Sequence, residues 1–428
     1  MIGRIHIEIE GITDPLRAYK LNFSQDTSKG FIFKLEMSSN SPDLASVKGK
    51  ILTISIANKI YLRGYIHVVE LNGGTWAHGD EIGYDLTVYS EDHLLANDSQ
   101  YIRYDDQPAF DHVRSIFMDR MFDEPVMDFA FPEDRVISAC APGTELLNYH
   151  QQDENTRQSI HNICGFYGIS YFYDVTLPKC PVVLIDTPMF YHQLQVDLHK
   201  EAGVHDFPSC FTANETHTQK PLPKGMIAVP LLSDHYNVTS LDPGIYEYGE
   251  KYTAAPNHVT CYGYDADQAH LDILSSSWVN PSAPESFKNN HHIGHAVTSQ
   301  SETDRLVQLG RSALFTKSRL SQCKGTGWIN VGDVFQLTNT ANDAFSISNP
   351  NGQWFVKSVD IELSTASDNF NMVSNCNFSA EIIPFDPSVT AFELPPEQLT
   401  SNALTEGFTV AKFDTQIFSH HAEQQRTL

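Results

Sequence analysis

HQQDENTRQSIHNICGFYGISYFY, residues 150–173, encodes two elements and the joint between them. Asn155 is a good helix N-cap, and Gln158 stands at the capping-box position three residues on. Ile160, Ile163, Cys164 and Tyr167 then recur at helical spacing, which predicts an amphipathic helix from about Glu154 to Tyr167. Gly168 ends it, and Ser170-Tyr171-Phe172-Tyr173 reads as a strand. The rings of Tyr167 to Tyr173 suit either a strand that packs alternate side chains into a core or a surface that stacks on sugar.

Upstream the period is two. Ile5, Ile7 and Ile9 alternate with His6, Glu8 and Glu10; Phe31, Phe33, Leu35 and Met37 repeat the pattern, as do Leu52, Ile54 and Ile56. Tyr61 to Leu71 and Tyr84 to Tyr89 are further β-rich runs, with turns at Asn58-Lys59 and Asn72-Gly73-Gly74. Such strands predict a small barrel or sandwich. Between Pro108 and Phe122, Phe110, Val113, Ile116, Phe117 and Met121 predict a helix.

Downstream, short strands are expected at Val182 to Ile185, Gly225 to Val229 and Val259 to Tyr264, and a helix from Ser301 to Phe315 around Leu306, Leu309 and Leu314. Strands return at Asp333 to Leu337, Trp354 to Leu363 and Asn375 to Ile383. Beyond Pro384 the composition reads as a linker leading to one more strand near Phe408 to Phe413.

Two segments echo each other. Gly49-Lys50-Ile51-Leu52-Thr53-Ile54 has the hydrophobic pattern of Gly332-Asp333-Val334-Phe335-Gln336-Leu337, and Tyr65-Ile66-His67-Val68-Val69-Glu70 that of Phe355-Val356-Lys357-Ser358-Val359-Asp360. Either β-rich segments coincide, or the chain carries two copies of one barrel separated by an insert. Two barrels per chain in a trimer give six quasi-equivalent modules.

Composition narrows the function classes. A formal charge of −25 from 53 acidic and 28 basic residues repels phosphate backbones and anionic lipid, so neither nucleic acid nor a membrane surface is an expected partner. Apolar runs are too short for a membrane span, and the N-terminus has no secretory signal pattern. Seven cysteines stand singly at 140, 164, 180, 210, 261, 323 and 376, which suits buried thiols in a reducing compartment rather than a disulfide framework.

Catalytic signatures are absent: no GxSxG, P-loop, HExxH or GxGxxG opening a helix. His291, His292 and His295 form the strongest metal-ligand candidate, since neutral imidazole suits zinc, but a His-rich solvated loop accounts for them as well. His420-His421 is a weaker candidate. Asp105-Asp106 and Asp123-Glu124 read as solvated loop charges, because glycosidase carboxylates must flank a bond at a set separation. No catalytic, cofactor-binding or metal residue is assigned, no cofactor is expected, and the chain is expected not to be an enzyme.

At residues 150–173 the sequence resembles the hub region of VgrG spike proteins, which show a Gln-Tyr-x-Glu-Ser opening, an amphipathic helix and a Glu-Gly-Ile-Tyr-Tyr-Phe close. Arg63-Gly64-Tyr65-Ile66, His93-Leu94-Leu95, Tyr101-Ile102, Cys323, Val331 to Phe335, Asn375 to Phe378 and Phe385-Asp386-Pro387 keep that family's order over about residues 3–390. Arg157 and Ser159 depart from it, standing where the helix usually carries apolar residues.

The resemblance implies a mainly β, α+β fold like the contractile phage tail hub, with two small related β-barrels and α+β inserts. The expected division is 1–92, first barrel; 93–205, α+β insert; 206–385, second barrel with a helical insert; and 386–428, linker and the start of an OB-fold near Phe408 to Phe413. A complete OB-fold and β-helical needle are not expected in the chain, the needle being a separate polypeptide or the chain a shortened form.

The implied role is a structural hub of a type VI secretion system: a homotrimeric symmetry adaptor between a hexameric Hcp-like tube and the needle. Baseplate components, and a PAAR tip and effectors reached through the needle, are the implied partners. Assembly in the bacterial cytoplasm and export through the injection machine follow from the same resemblance. A phage tail or tailocin hub is the alternative, and a β-rich metal-dependent hydrolase using His291, His292 and His295 a third reading.

Overall fold

In the computed structural model of the protein, the residues described are 3–72 except 41–43 and 45; 81–104 except 98–101; 109–120; 136–138; 149–186 except 152, 153, 168 and 179; 227–232; 241–251; 258–264; 273–279; 290–294; 300–307 except 301, 302 and 305; 320–338; and 353–385 except 367 and 368. Cys140, Cys210, both acidic pairs, His295, His420-His421 and the expected strand at Phe408 to Phe413 lie outside them.

The first six strands are β1 (Ile5–Ile9), β2 (Arg17–Asp26), β3 (Gly30–Ser39), β4 (Ile51–Ile56), β5 (Ile60–Asn72) and β6 (Ile82–Tyr89), closed by a 3-10 turn at Glu91–Asn97. β7 (Ile102–Tyr104), α1 (Ala109–Arg120), β8 (Val136–Ser138), β9 (Tyr149–Gln151), α2 (Thr156–Tyr167), β10 (Ile169–Tyr173) and β11 (Val182–Asp186) follow. Then come β12 (Ile227–Pro230), β13 (Gly244–Gly249), β14 (His258–Tyr264), β15 (Ile273–Val279) and β16 (Asn290–Gly294). The series ends with β17 (Ser321–Thr326), β18 (Val334–Thr338), β19 (Gln353–Ala366) and β20 (Asn369–Phe385).

The predicted alternations hold. Ile5, Ile7 and Ile9 are buried, as are Phe31, Phe33, Leu35 and Met37, and Leu52, Ile54 and Ile56. Val113, Ile116 and Phe117 bury one face of α1. Cys164, Cys180, Cys261, Cys323 and Cys376 are buried free thiols, with burial pushing Cys323 and Cys376 up to about 12. Strands β2, β7, β8, β9, β13, β15, β16 and β17 were not predicted. Neither half is a separately closed barrel among the described residues; both belong to one twelve-stranded sheet ordered β1-β4-β5-β6-β3-β2-β19-β20-β17-β13, with β18 on β19 and β12 on β18.

The two halves nevertheless repeat one plan. β2-β3-β6-β5-β4 has the same order and antiparallel sense as β13-β17-β20-β19-β18. β5 bulges between Ile66 and Val68 opposite β6, and β19 between Val356 and Ser358 opposite β20. β2 bulges between Ala18 and Lys20, and β13 between Ile245 and Glu247.

Turns repeat as well. Gly49 N donates to Ile66 O (2.7 Å) as Gly332 N does to Val356 O (3.0 Å). Ile66 N donates to Lys50 O (2.9 Å) as Val356 N does to Asp333 O (3.0 Å). Both glycines have φ near +85°, at +86° and +85°. Bulges are positional features of a ladder, so coincidence of β-rich text does not account for their agreement. The echo in the sequence marks a duplicated module. Even charge is conserved by exchange: Lys20 faces Glu36 in one copy, and Glu247 faces Lys324 in the other.

The chain contacts divide into two compact units, one holding residues 1–253 and 319–390 and the other including 254–318. In the second, β14 pairs antiparallel with β15 and parallel with β16. The described residues between 300 and 307 are helical, with Leu306 and Val307 buried, and Gln300 donates to the Ser275 carbonyl (2.9 Å). The 254–318 unit enters the chain between β13 and β17, where the first copy has only the tight turn Thr27–Lys29 between β2 and β3.

The repeated glycines make a matched test. A left-handed residue with a Cβ costs about 1–2 kcal/mol. At Gly49 a Cβ meets nothing within 4 Å, whereas at Gly332 it lies 2.3 Å from the Phe172 ring. Gly49→Ala is expected to lower stability by about 1–2 kcal/mol and Gly332→Ala by clearly more, read from denaturant midpoints.

Candidate functional site

The helix–strand stretch that opened the sequence reading sits against both module copies. Asn155 Oδ1 accepts from Gln158 N (2.8 Å), so the predicted cap is formed. Gln158 does not complete the capping box; its amide donates forward to Asn162 Oδ1 (2.9 Å). Ile160, Ile163 and Cys164 are buried, leaving Arg157 to reach outward from the first turn.

Strand β10 then alternates its rings. Tyr171 and Tyr173 face Asp92 of the first module's closing turn, while Phe172 lies over Gly332 of the second module. All three rings are buried, which favours the core-packing reading of this aromatic run. Ser28 N donates to Tyr171 O (2.7 Å), Gln25 Nε2 to Tyr173 O (3.1 Å), and Tyr61 N to Val175 O (2.6 Å). Phe31 meets Tyr173 edge-on at 5.0 Å, and Phe117 of α1 packs on Tyr171 at the same distance.

Asp92 is 1% exposed. Its Oδ1 accepts from Ser90 Oγ and from Tyr173 OH (3.2 Å); its Oδ2 accepts from Tyr171 OH (3.1 Å) and Arg157 Nε (3.2 Å). Its own N–H donates back to Tyr173 OH (3.1 Å). Burial pushes the carboxyl above the usual carboxylate range, and the bonds from Ser90, Arg157 and Tyr171 pull against that shift. Gly30, at φ +70°, lets the β2–β3 turn close on this carboxylate: a Cβ there would lie 2.3 Å from Oδ1. Nearby, Arg63 Nε bonds Glu91 Oε1 at 3.1 Å.

Arg157 also donates from Nη2 to Lys29 O (2.9 Å) and contacts His93 Nε2 (3.1 Å). With a guanidinium donating to it, His93 is held neutral; burial, then Arg157, then His67 lower its pKa to about 4. Its ring stacks on Tyr89 with centroids 4.4 Å apart. His161 Nε2 lies 3.0 Å from Tyr171 OH, and burial, then Arg157, lower its pKa. Thus Arg157, a departure from the apolar helix pattern, is the cation that compensates a buried carboxylate. Ser159, the other departure, is buried with its Oγ unpartnered.

This arrangement braces rather than catalyses. Both carboxylate oxygens of Asp92 are engaged from within. Asp92 and Ser90 are not singled out by the sequence, and Arg63 only within the resemblance; the one local signal is a Ser-Glu-Asp run directly after an apolar alternation. His291 and His292 lie in strand β16, not in a loop, and pair in register with Val259 and Thr260 of β14, which offers an edge there. Adjacent strand positions belong to opposite faces. Among the described residues no group of three or more His, Cys, Asp or Glu is placed to hold a metal.

No protein-family model and no curated protein matches the chain by sequence. Solved structures do match. An Escherichia coli protein, c3393, is described as a component of the type VI secretion system with structural similarity to the T4 bacteriophage tail proteins gp27 and gp5. It matches 89% of this chain and 77% of its own, at 10% identity and a TM-score of 0.55. A tail protein from Neisseria meningitidis matches over 89% of this chain and 96% of its own, at 10% identity and TM-score 0.56. The 43 kDa tail protein of prophage MuSo2 from Shewanella oneidensis matches over 90% and 99%, at 10% and 0.54.

The chain has the phage tail-hub fold. Within that fold the brace joins both copies of the duplicated module through one strand. Among the described residues no helix is long and apolar enough to cross a membrane.

Removing one side of a buried, hydrogen-bonded charge pair costs about 3–5 kcal/mol, and a single hydrogen bond about 1 kcal/mol. Asp92→Ala is therefore expected to destabilise the protein severely and Tyr171→Phe mildly, in equilibrium unfolding. His93, lowered to about 4 in the folded state, binds fewer protons there than in the unfolded chain, so its contribution is present above about pH 6.5 and lost as pH falls toward 4. Asp92, raised, contributes with the opposite sign. His93→Gln is expected to flatten the acid-side loss of stability between those values.

Proposed function

We propose that the protein is a structural hub of a type VI secretion system, a homotrimeric symmetry adaptor between a hexameric Hcp-like tube and a puncturing needle. The observation that carries this reading is the duplicated module: two copies in register, bulge for bulge, fused in one sheet. Three such chains offer six quasi-equivalent modules, the number a hexameric ring requires. The tail-hub fold and its likeness to a type VI component support it.

In this reading the protein is no enzyme; it transmits force and matches symmetries. Residues 1–92 supply the first module, 93–205 the α+β insert, 206–385 the second module with its own insert, and 386–428 a linker and the start of an OB-fold. Baseplate components contact the hub, and a PAAR tip and effectors ride on the needle. Assembly takes place in the bacterial cytoplasm, and the hub leaves through the machine it belongs to. A second reading, the hub of a phage tail or tailocin, is favoured by the likeness to two tail proteins, one from a prophage. The same geometry serves both machines.

Native mass spectrometry of the protein, alone and co-expressed with the tube protein of its own gene cluster, is expected to give a trimer that binds the tube as one trimer per hexameric ring. Monomers or dimers in both preparations would overturn the hub reading.

A further inference from the structure

Three acceptors from the first module meet on one guanidinium. Arg157, in the first turn of α2, donates from Nε to Asp92 Oδ2 (3.2 Å) and from Nη2 to Lys29 O (2.9 Å), and its Nη2 lies 3.1 Å from His93 Nε2. A guanidinium has only donors, so His93 joins this set through the lone pair of an unprotonated Nε2. The Lys29 carbonyl is indifferent to pH; the other two acceptors are not.

Titratable groups surround the guanidinium from several elements. On α2 itself, His161 stands 3.0 Å from Tyr171 OH. From β10 come Tyr171 and Tyr173, both bonded to Asp92. The closing turn adds Glu91, which is bonded to Arg63 of β5. β5 also contributes Tyr65 and His67, and the Tyr89 ring of β6 meets both His67 (centroids 4.7 Å) and His93 (4.4 Å). In the β2–β3 turn, Lys29 Nζ is turned to Asp26 (2.8 Å). From α1, Phe117 packs on Tyr171. A proton on His93 removes an acceptor of Arg157 and sets a second cation against it.

The bonds that dock β10 are of another kind. Ser28 N to Tyr171 O, Gln25 Nε2 to Tyr173 O and Tyr61 N to Val175 O all end on main-chain carbonyls, and none of them titrates. The first turn of α2 can therefore leave while β10 stays.

We infer that Arg157 is an acid-released latch: on acidification the first turn of α2 lets go of the Glu91–Asn97 turn and the Lys29 carbonyl, while β10 and the twelve-stranded sheet remain in place. Both titrating acceptors drive release in the same direction. Burial, then Arg157, then His67 bring His93 to about 4 when latched, against an ordinary 6.5 once released. Its contribution to closure is therefore present above about pH 6.5 and lost as pH falls toward 4. Burial raises the Asp92 carboxyl and Arg157 is among the groups that hold it down, so release raises it further and acid again favours the open latch. In global unfolding these two groups act with opposite signs; in this local step they add. The latch thus opens under acid conditions that leave the sheet folded.

Hydrogen–deuterium exchange of the purified full-length protein, read by mass spectrometry at about pH 7.5 and about pH 5 with labelling times scaled to equal chemical exchange, tests this. At the lower pH, peptides covering the first turn of α2 and Glu91–Asn97 are expected to exchange about tenfold faster, with β3, β19 and β20 unchanged. His93→Gln keeps a side-chain acceptor that does not titrate and is expected to remove most of that change. Arg157→Gln is expected to leave the same peptides fast at both pH values; should that variant not fold, His93→Gln decides alone. Equal protection at both pH values, a loss shared by β19 and β20, or an acid response unaltered by His93→Gln overturns the inference.

Discussion

The antiparallel seam between β2 and β19 is the constraint on which the rest depends. It runs from Lys20 opposite Ser364 to Asp26 opposite Ser358 and turns two modules into one sheet. Its register is fixed by burial: Val359, Ile361 and Leu363 face inward with Leu21, Phe23 and Gln25, while Asp360 and Glu362 remain exposed. A slip of one residue would carry those two carboxylates into the core. Lys20 holds Glu362 at 2.5 Å on the outer face, and Thr365 Oγ1 bonds Ala18 O at 2.8 Å beyond the last pair. At the other end the seam runs directly into the brace. Thr27 N bonds Lys357 O, Ser28 N bonds Tyr171 O, Lys29 O receives Arg157, and Gly30 admits Asp92.

That convergence accounts for an asymmetry between the copies. In the first, the Thr27–Lys29 turn has seam on one side and brace on the other, so it must be short and closely docked. At the equivalent place in the second copy, between β13 and β17, the chain accommodates the whole 254–318 unit. Insertions are tolerated where a connection runs over the surface. Duplication kept the ladder, its bulges and its left-handed glycines, and let the connections diverge.

What was legible follows the same division. Strands whose inward positions are Ile, Leu, Phe and Met, such as β1, β3 and β4, announced themselves by alternation, and so did the cap and apolar face of α2. β2, β13 and β17 did not. β2 reads RAYKLNFSQD, with a glutamine among its buried positions whose Nε2 donates to Tyr173 O. β17 reads SQCKGT, whose inward residues are small and half polar, and β13 holds two glycines in six residues. These strands are specified by neighbours distant in sequence. Asp92 was illegible for a related reason: in a sequence a buried acid looks like a solvated one, and its tyrosine partners lie 79 and 81 residues away. The internal echo was the most informative signal because it concerned backbone geometry, glycine and bulge positions, more than side-chain chemistry.

If two module copies in each chain serve to meet a six-fold partner, the assembled particle must display that number. Electron-microscopy class averages viewed down the particle axis measure it directly. A continuous ring of six near-equal lobes obeying true three-fold symmetry, with alternate lobes distinguishable at higher resolution, is the expected result. Three isolated lobes separated by gaps, or a ring of any other order, would contradict it.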